Sequence, residues 1–310
     1  MSSVCVRIST RTSALALWQA SYIADLLRQT PAAPDVELIH IRTSGDGDQR
    51  SSLREFGGTG AFTREVQRAV LDGDADLAVH SLKDLPTESV AGLCLACVPD
   101  RAPRLDAILL PQGQNLFSSL SDMPKASRVG TGSPRRQAQL LHHRPDLKML
   151  DIRGNVDTRI GKLDSGDYDA IMLAEAGLRR LGLDDRINLL LSPPEMLPAV
   201  GQGALGIECR IDDPSTRELL SLLTDERTLQ SVTAERSLLR TIRAGCHAPL
   251  GVWTEVEGQR LTLTGVLLSL DGTVRLKASA GGPRDEAEQI GREVAAKLIE
   301  AGGDALLEEE

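Results

Sequence analysis

Aromatic side chains are almost missing from this chain: its 310 residues include two Trp, two Tyr and three Phe, or 2% in all. Stacked aromatic platforms for single-stranded nucleic acid are therefore disfavoured. Net basic charge is missing as well. Against 35 Lys and Arg stand 44 Asp and Glu, a formal charge of -9, so no bulk field draws the protein to polyanions. An acidic ligand must instead meet cations placed locally. No apolar run reaches transmembrane length, and the opening Met-Ser-Ser-Val-Cys-Val-Arg-Ile has neither an apolar signal core nor an Arg-rich transit segment. A cytoplasmic protein with no membrane partner is expected. No Gly-x-x-x-x-Gly-Lys-Ser/Thr loop occurs, and no intact Gly-x-Gly-x-x-Gly follows a strand. No His/Cys/Asp group has metal-ligand spacing, and His142 and His143 are too close in sequence to share a helix face; no metal site is predicted.

Cysteine is scarce and odd in number, at five, so at least one must be explained singly. Cys94 and Cys97 lie in the apolar stretch Leu93 to Val98, which reads as a strand. Side chains three apart on a regular strand point to opposite faces, so core positions are expected and a shared metal or disulfide is not.

What is present is a rhythm of strands and helices. Val4, Val6 and Ile8 alternate as in a strand, and a helix follows with Leu15, Trp18, Tyr22 and Leu26 at helical spacing. Val36 to Ile41 reads as a strand, Phe62 to Leu71 as a helix ending near Gly73, and Leu77 to His80 as a third strand. The rhythm repeats: strand Arg128 to Thr131, helix from Ser133-Pro134 with Pro at its first position, strand Leu147 to Ile152, helix Val156 to Leu163, strand Tyr168 to Ala174. Two such blocks predict two open α/β sheets, mainly parallel, with ligands at the carboxyl ends of the strands. Ala204 to Cys209 resumes as a strand able to return to the first sheet. Beyond it come a helix around Ser231 to Ile242, strands separated by Glu257-Gly258 and Asp271-Gly272, and a final helix, which predict an antiparallel, open-faced α+β domain. The glycine-interrupted residues 43–60 read as a loop, either a plain connection or a lid.

Basic residues recur where strands end. Arg11 follows the first strand, Lys83 the third, Arg135 and Arg136 open a helix, Arg153 follows a strand, and Arg159 and Arg180 lie in the same block. A guanidinium fork matches a carboxylate or phosphate, and helix amino ends add exposed N–H groups. A ligand with several negative groups is implied, although a lone arginine is ordinarily a solvated surface residue. Asp84, directly after a strand and beside Lys83, suits stabilisation of a developing cation or proton transfer, and equally a structural turn. Cys246, on a loop bounded by Gly245 and Pro249 after a helix, suits a nucleophile, an attachment point or a buried core thiol.

At these residues the chain resembles the porphobilinogen deaminase family. The matching stretches are Thr10-Arg11-x-Ser13 with Ala16-Leu17-Trp18-Gln19-Ala20, His80-Ser81-Leu82-Lys83-Asp84-Leu85-Pro86, and Gly130-Thr131-x-Ser133-x-Arg135-Arg136-Gln137. Further along come Arg153-Gly154-Asn155-Val156-x-Thr158-Arg159, Ala176-Gly177-Leu178-Arg179-Arg180-Leu181-Gly182, Pro198-Ala199-Val200-Gly201-Gln202-Gly203-Ala204 and Gly245-Cys246-x-x-Pro249-Leu250-Gly251. They span almost the whole chain.

The resemblance implies three α/β domains, the first two periplasmic-binding-protein-like with doubly wound mixed sheets. Their expected extents are 1–103 with 200–221, 104–199, and 222–310. It implies head-to-tail condensation of four porphobilinogen molecules to hydroxymethylbilane with loss of ammonia, by a monomer that binds no nucleic acid. Cys246 would carry a covalent dipyrromethane cofactor and Asp84 would be catalytic. Arg11, Ser13, Gln19, Ser81, Lys83, Thr131, Ser133, Arg135, Arg136, Arg153, Arg159, Arg180 and Gln202 would bind cofactor and substrate. Gly132 and Pro134 stand where the family usually has Ser and Leu, and Thr59 where it commonly has Lys. Two rival readings remain: a non-catalytic binding module for a small polyanion, and a DNA-binding protein using Ser133 to Gln137 in a recognition helix.

Overall fold

The computed structural model describes residues 5–41, 63–114, 117–243 and 248–308. In chain order the first elements are β1 (Cys5–Arg11), α1 (Ala14–Arg28), β2 (Asp35–Ile41), α2 (Arg64–Leu71), β3 (Leu77–Ser81), β4 (Leu93–Cys97) and β5 (Asp106–Leu109). Next come β6 (Arg128–Gly130), α3 (Pro134–His143), β7 (Lys148–Leu150), α4 (Val156–Asp164), β8 (Ala170–Ala174), α5 (Glu175–Arg180), β9 (Leu189–Leu191) and β10 (Leu205–Arg210). The last are α6 (Pro214–Ser221), α7 (Glu226–Thr241), β11 (Leu250–Glu257), β12 (Arg260–Leu268), β13 (Arg275–Pro283), α8 (Ala287–Glu300) and α9 (Gly303–Glu308). The expected loop 43–60, with Thr59, and the amino end expected for the second helix, Phe62, lie outside the described residues, as does Cys246.

The chain divides into two compact units, residues 1–102 with 204–229, and 103–203 with 230–310. The first holds a five-stranded sheet of order β2-β1-β3-β10-β4. Strands β2, β1, β3 and β4 share one direction, whereas β10 is antiparallel to both its neighbours, so the sheet is mainly parallel, as the rhythm of strands and helices predicts, and mixed by one strand, as the resemblance implies. The anticipated return of the 204–209 segment to the first sheet is what makes it so. Its core is built on Ile8, Ile23, Leu27 and Leu77, all fully buried, each contributing about 1.5–3 kcal/mol by leaving water.

Helix α1 forms as expected but turns a different stripe inward. Gln19, Ala20, Ile23, Ala24 and Leu27 are buried, while Trp18 is 38% exposed and stacks on Tyr22. The stripe Leu15-Trp18-Tyr22-Leu26 lies one position round the helix. Alanines on the inner face let the helix sit close to the sheet, where Trp18 would not fit.

The expected opposition of Cys94 and Cys97 is also corrected. Ile207 pairs with Cys97 and Glu208 with Leu95, so Ala96 is an extra residue in a bulge. A bulge shifts the alternation by one, and both cysteines join Cys209 in the first sheet's core. They are core residues, as expected, but on one face.

The second unit contains a matching sheet of order β7-β6-β8-β5-β9, with β7, β6 and β8 parallel and β5 antiparallel to β8 and β9. Apolar clusters cover both of its faces. A third sheet, β11-β12-β13, is wholly antiparallel, with α7 and α8 residues such as Leu238, Val294 and Leu298 in the core it forms. Gly258 and Gly272 have φ of 58° and 74° at the two predicted hairpins.

The Asp271-Gly272 hairpin meets α3. A β-carbon at Gly272 would lie 2.5 Å from His142 N and 2.6 Å from Ala138 O, both backbone atoms, and the His142 ring nitrogen Nδ1 is 2.9 Å from Gly272 O. Left-handed strain of about 1–2 kcal/mol adds to overpacking of about 1–3 kcal/mol. Gly272→Ala is expected to lower stability by about 2–5 kcal/mol in denaturant unfolding followed by circular dichroism, without loss of the hairpin's strands.

Candidate functional site

In the first unit, β3 ends in the 3-10 turn Leu82–Asp84, which is held by Leu82 N donating to Ala204 O at the entry to β10, at 3.0 Å. The buried Leu82 anchors the turn and leaves Asp84 exposed beside the half-buried Lys83. Asp84 lines a pocket with Arg11, Ser13, Gln19, Ser81, His80 and Thr63. Five residues named from sequence thus come together, from the ends of β1 and β3 and the start of α1. Ser13 caps α1, accepting from Ala16 N at 3.4 Å, and Gln19 Nε2 donates to Ser81 Oγ at 2.8 Å. Leu15 and Ala16 of the first helical turn also line the pocket, so its wall carries the positive end of the α1 dipole.

Two members escaped the sequence reading. Thr63 is buried, and its Oγ1 has no hydrogen-bond partner among the described residues. His80, inside a motif but assigned no role, places Nε2 3.0 Å from Glu208 Oε2, to which Gln67 Nε2 also donates at 2.8 Å. All three are buried. No spacing rule pairs residues so far apart in sequence; only the β3-β10 pairing brings Glu208 behind His80.

In the second unit the named residues lie on the segments that follow β6, β7 and β8. Thr131 follows β6 and accepts at Oγ1 from Ser133 N at 3.2 Å. Ser133 precedes α3, and its side chain makes no capping hydrogen bond, leaving the hydroxyl uncommitted to the helix. Pro134 occupies the first turn, where it is well tolerated. At Gly132 an added β-carbon would come within 3.0 Å of Asp151 Oδ1, so a serine there would crowd the carboxylate that accepts from Arg153 Nε at 2.9 Å. Arg159 Nε donates to Gly154 O at 2.8 Å, and Arg180 Nη2 to Gly203 O at 2.7 Å.

Where the sequence suggests that Arg135 and Arg136 turn their forks toward a ligand, the structure engages both with Asp106. Arg135 Nη1 donates to Asp106 Oδ2 at 2.7 Å and Nη2 to Oδ1 at 3.2 Å. Arg136 Nε donates to Oδ1 at 2.9 Å and Nη1 to Met172 O at 3.0 Å. Gln202 Nε2 reaches Asp106 Oδ1 at 3.0 Å. All four residues are buried. The cause is position: Asp106 opens β5, an interior strand of the sheet, within hydrogen-bond reach of Arg135 and Arg136 in the first turn of α3. Burial also takes these arginines away from a DNA groove, which counts against α3 as a recognition helix. The three charged groups carry one surplus positive charge, and Arg135 Nε is buried without a hydrogen-bond partner among the described residues.

Burial alone would push the Asp106 carboxyl up, but Arg135 and Arg136 outweigh it and hold the group well below the usual carboxylate range. Burial lowers the Arg136 pKa, with Arg135 adding to the effect and Asp106 opposing it.

Two mixed five-stranded sheets and a third, antiparallel one define a three-sheet α/β protein. Residues 6–218 match the model described as porphobilinogen deaminase, dipyromethane cofactor binding domain, and residues 229–300 the porphobilinogen deaminase C-terminal domain. The chain belongs to the porphobilinogen deaminase family. It is 44% identical to the porphobilinogen deaminase of Maridesulfovibrio salexigens over 98% of this chain and 97% of that one. It is also 44% identical to that of Pelobacter propionicus over 98% and 96%. The VFT2 domain of Bordetella pertussis BvgS, a solved structure, aligns with a TM-score of 0.42 at 13% identity, covering 74% of this chain and 93% of that one.

Asp106→Asn is expected to cost about 3–5 kcal/mol in urea unfolding, because two buried guanidiniums lose their counter-charge. For the unaltered protein the sign follows from a depressed folded-state pKa. The contribution is complete above the ordinary aspartate value of about 3.9 and is lost only as pH falls below it. Unfolding midpoints measured from pH 7 down to pH 3 should therefore show a smaller acid-side loss in Asp106→Asn than in the parent.

Proposed function

We propose that this chain is a transferase that condenses four porphobilinogen molecules head to tail, releasing ammonia at each addition, to form hydroxymethylbilane for tetrapyrrole synthesis. The observation that carries the reading is the pocket where Asp84 meets Arg11, Ser13, Gln19 and Ser81 at the amino end of α1. It fits a molecule that is acidic at its rim and becomes cationic at its reacting ring. A charge-assisted hydrogen bond contributes about 1.5–3 kcal/mol, so several are required to register one ring carrying two carboxylates.

Asp84 is the catalytic group: its carboxylate offers negative charge to the pyrrole N–H as ammonia departs and the ring becomes electron-poor, and an anion already in place avoids reorganisation. Arg11, Lys83, Arg153, Arg159 and Arg180, with Ser13, Ser81, Thr131 and Ser133, bind the acetate and propionate side chains. Arg135 and Arg136 contribute through the surplus charge of their buried group, with Gln202 fixing Asp106.

The residues present suit a dipyrromethane cofactor joined by a thioether to Cys246. Its carboxylates match the arginines at the strand ends, and the unpartnered Thr63 Oγ1 and Arg135 Nε are polar atoms of the kind a bound polar group satisfies. When bound, that group supplies the covalent primer from which the product grows. The chain acts in the cytoplasm as a monomer on a small molecule. No helix among the described residues is long and apolar enough to cross a membrane.

Intact-protein mass tests the reading. Active protein should be heavier than the bare chain by one dipyrromethane, and Cys246→Ser should abolish both the added mass and product formation; an active protein of unmodified mass would return the polyanion-binding module to favour. Asp84→Ala should keep substrate binding and lower turnover by about a hundredfold or more, as loss of a transition-state interaction does. Arg153→Lys should be impaired despite equal charge, raising KM for porphobilinogen, since the planar fork is lost.

A further inference from the structure

The first sheet contains a pair of thiols that the proposed reaction does not use. Cys94 on β4 and Cys209 on β10 are direct partners across an antiparallel ladder. Directly opposed residues in such a ladder have α-carbons about 5.5 or 4.5 Å apart, depending on whether the pair exchanges hydrogen bonds. Both values lie within the span a disulfide accepts, about 4.4–6.8 Å. Both side chains join the same apolar core, so they leave the sheet on one face. The thiols already interact: burial, then the neighbouring Cys94 through charge and a side-chain hydrogen bond, pushes Cys209 up to about 12. Cys209 is fully buried, whereas Cys94 is half-buried on β4, an edge strand of the sheet. One thiol is therefore within reach of a small reagent and its partner is not. Cys97 differs: it is paired with Ile207, buried, and raised to about 11 by burial against a hydrogen bond involving Thr224.

We propose that Cys94 and Cys209 form a redox site that closes to a reversible intramolecular disulfide by exchange with a low-molecular-weight disulfide. Cys94 is the entry thiol and Cys209 the resolving one. In the first step the Cys94 thiolate, having lost its proton to solvent, attacks one sulfur of RSSR. The Cys94–SR bond forms, the S–S bond breaks, and RS⁻ leaves to take up a proton. In the second step Cys209 loses its proton and attacks the Cys94 sulfur, giving the Cys94–Cys209 bond and a second RSH. The two thiols are oxidised by two electrons and RSSR is reduced to two RSH. A reducing compartment keeps the pair as dithiol. The bond ties the edge strand to its neighbour.

The site is remote from the pocket along β10. Leu205 pairs with Ser81 while Cys209 pairs with Leu77, a separation of four residues, or roughly 13 Å at strand rise. Turnover should therefore be the same in Cys94→Ser and Cys209→Ala as in the parent, whether or not the proposed reaction is correct.

The test incubates reduced holoprotein with oxidised glutathione, alkylates the remaining thiols, and maps peptides without reduction. The expected result is a mass lower by two hydrogens and one cross-linked peptide pair containing Cys94 and Cys209, reversed by dithiothreitol. In Cys209→Ala the reaction should stop at one glutathione on Cys94, and in Cys94→Ser Cys209 should remain alkylatable after unfolding. A stable glutathione adduct on Cys94 in the parent protein, a link through Cys97 instead, or full recovery of free Cys94 and Cys209 would each overturn the proposal.

Discussion

The fully buried carboxylate of Asp106 sets the charge balance of the second unit. It stands at the start of β5 and binds two guanidiniums and one carboxamide at once. The same arginines reach Met172 O on β8 and Leu197 O in the segment leading to Gln202. One acidic side chain thereby fastens a strand, a helix start and a connecting segment. Desolvating three charges is costly, and only close geometry with hydrogen bonds on nearly every donor offsets it. The arrangement also leaves one positive charge uncompensated.

In the first unit the short turn after β3 buries Leu82 and leaves Asp84, two places on, exposed at the pocket. The support comes from β10, whose approach supplies the carbonyl of Ala204 to that turn and the carboxylate of Glu208 to His80. The pocket and its scaffold are thus joined through a strand that belongs to a much later part of the chain.

Periodicity and turn chemistry made most elements legible: the alternation in β1, Pro134 opening α3 and the Asp-Gly hairpin each act within a few residues. Strand-end placement likewise put Arg11, Ser13, Ser81 and Asp84 in one pocket. The misses share one cause, which is dependence on neighbours distant in sequence. Which stripe of α1 faces inward was decided by how closely the sheet approaches, so Ala20 and Ala24 displaced Trp18. The bulge at Ala96 is a property of the β4-β10 pair, and β4 alone gives no sign of it. Asp106 carries no motif of its own, yet it determines where Arg135 and Arg136 point. Thr63 and Glu208 acquire their places only from the assembled sheet.

The position of β10 bears on how the polypeptide is made. It is an interior strand of the first sheet, lying between β3 and β4, yet it leaves the ribosome only after every strand of the second sheet has done so. Until then β3 and β4 each present an unsatisfied edge, a template for pairing with other nascent chains. The first sheet therefore cannot be completed until residues 103–203 have been made, and a ribosome stalled before β10 would expose an incomplete sheet to chaperones and proteases.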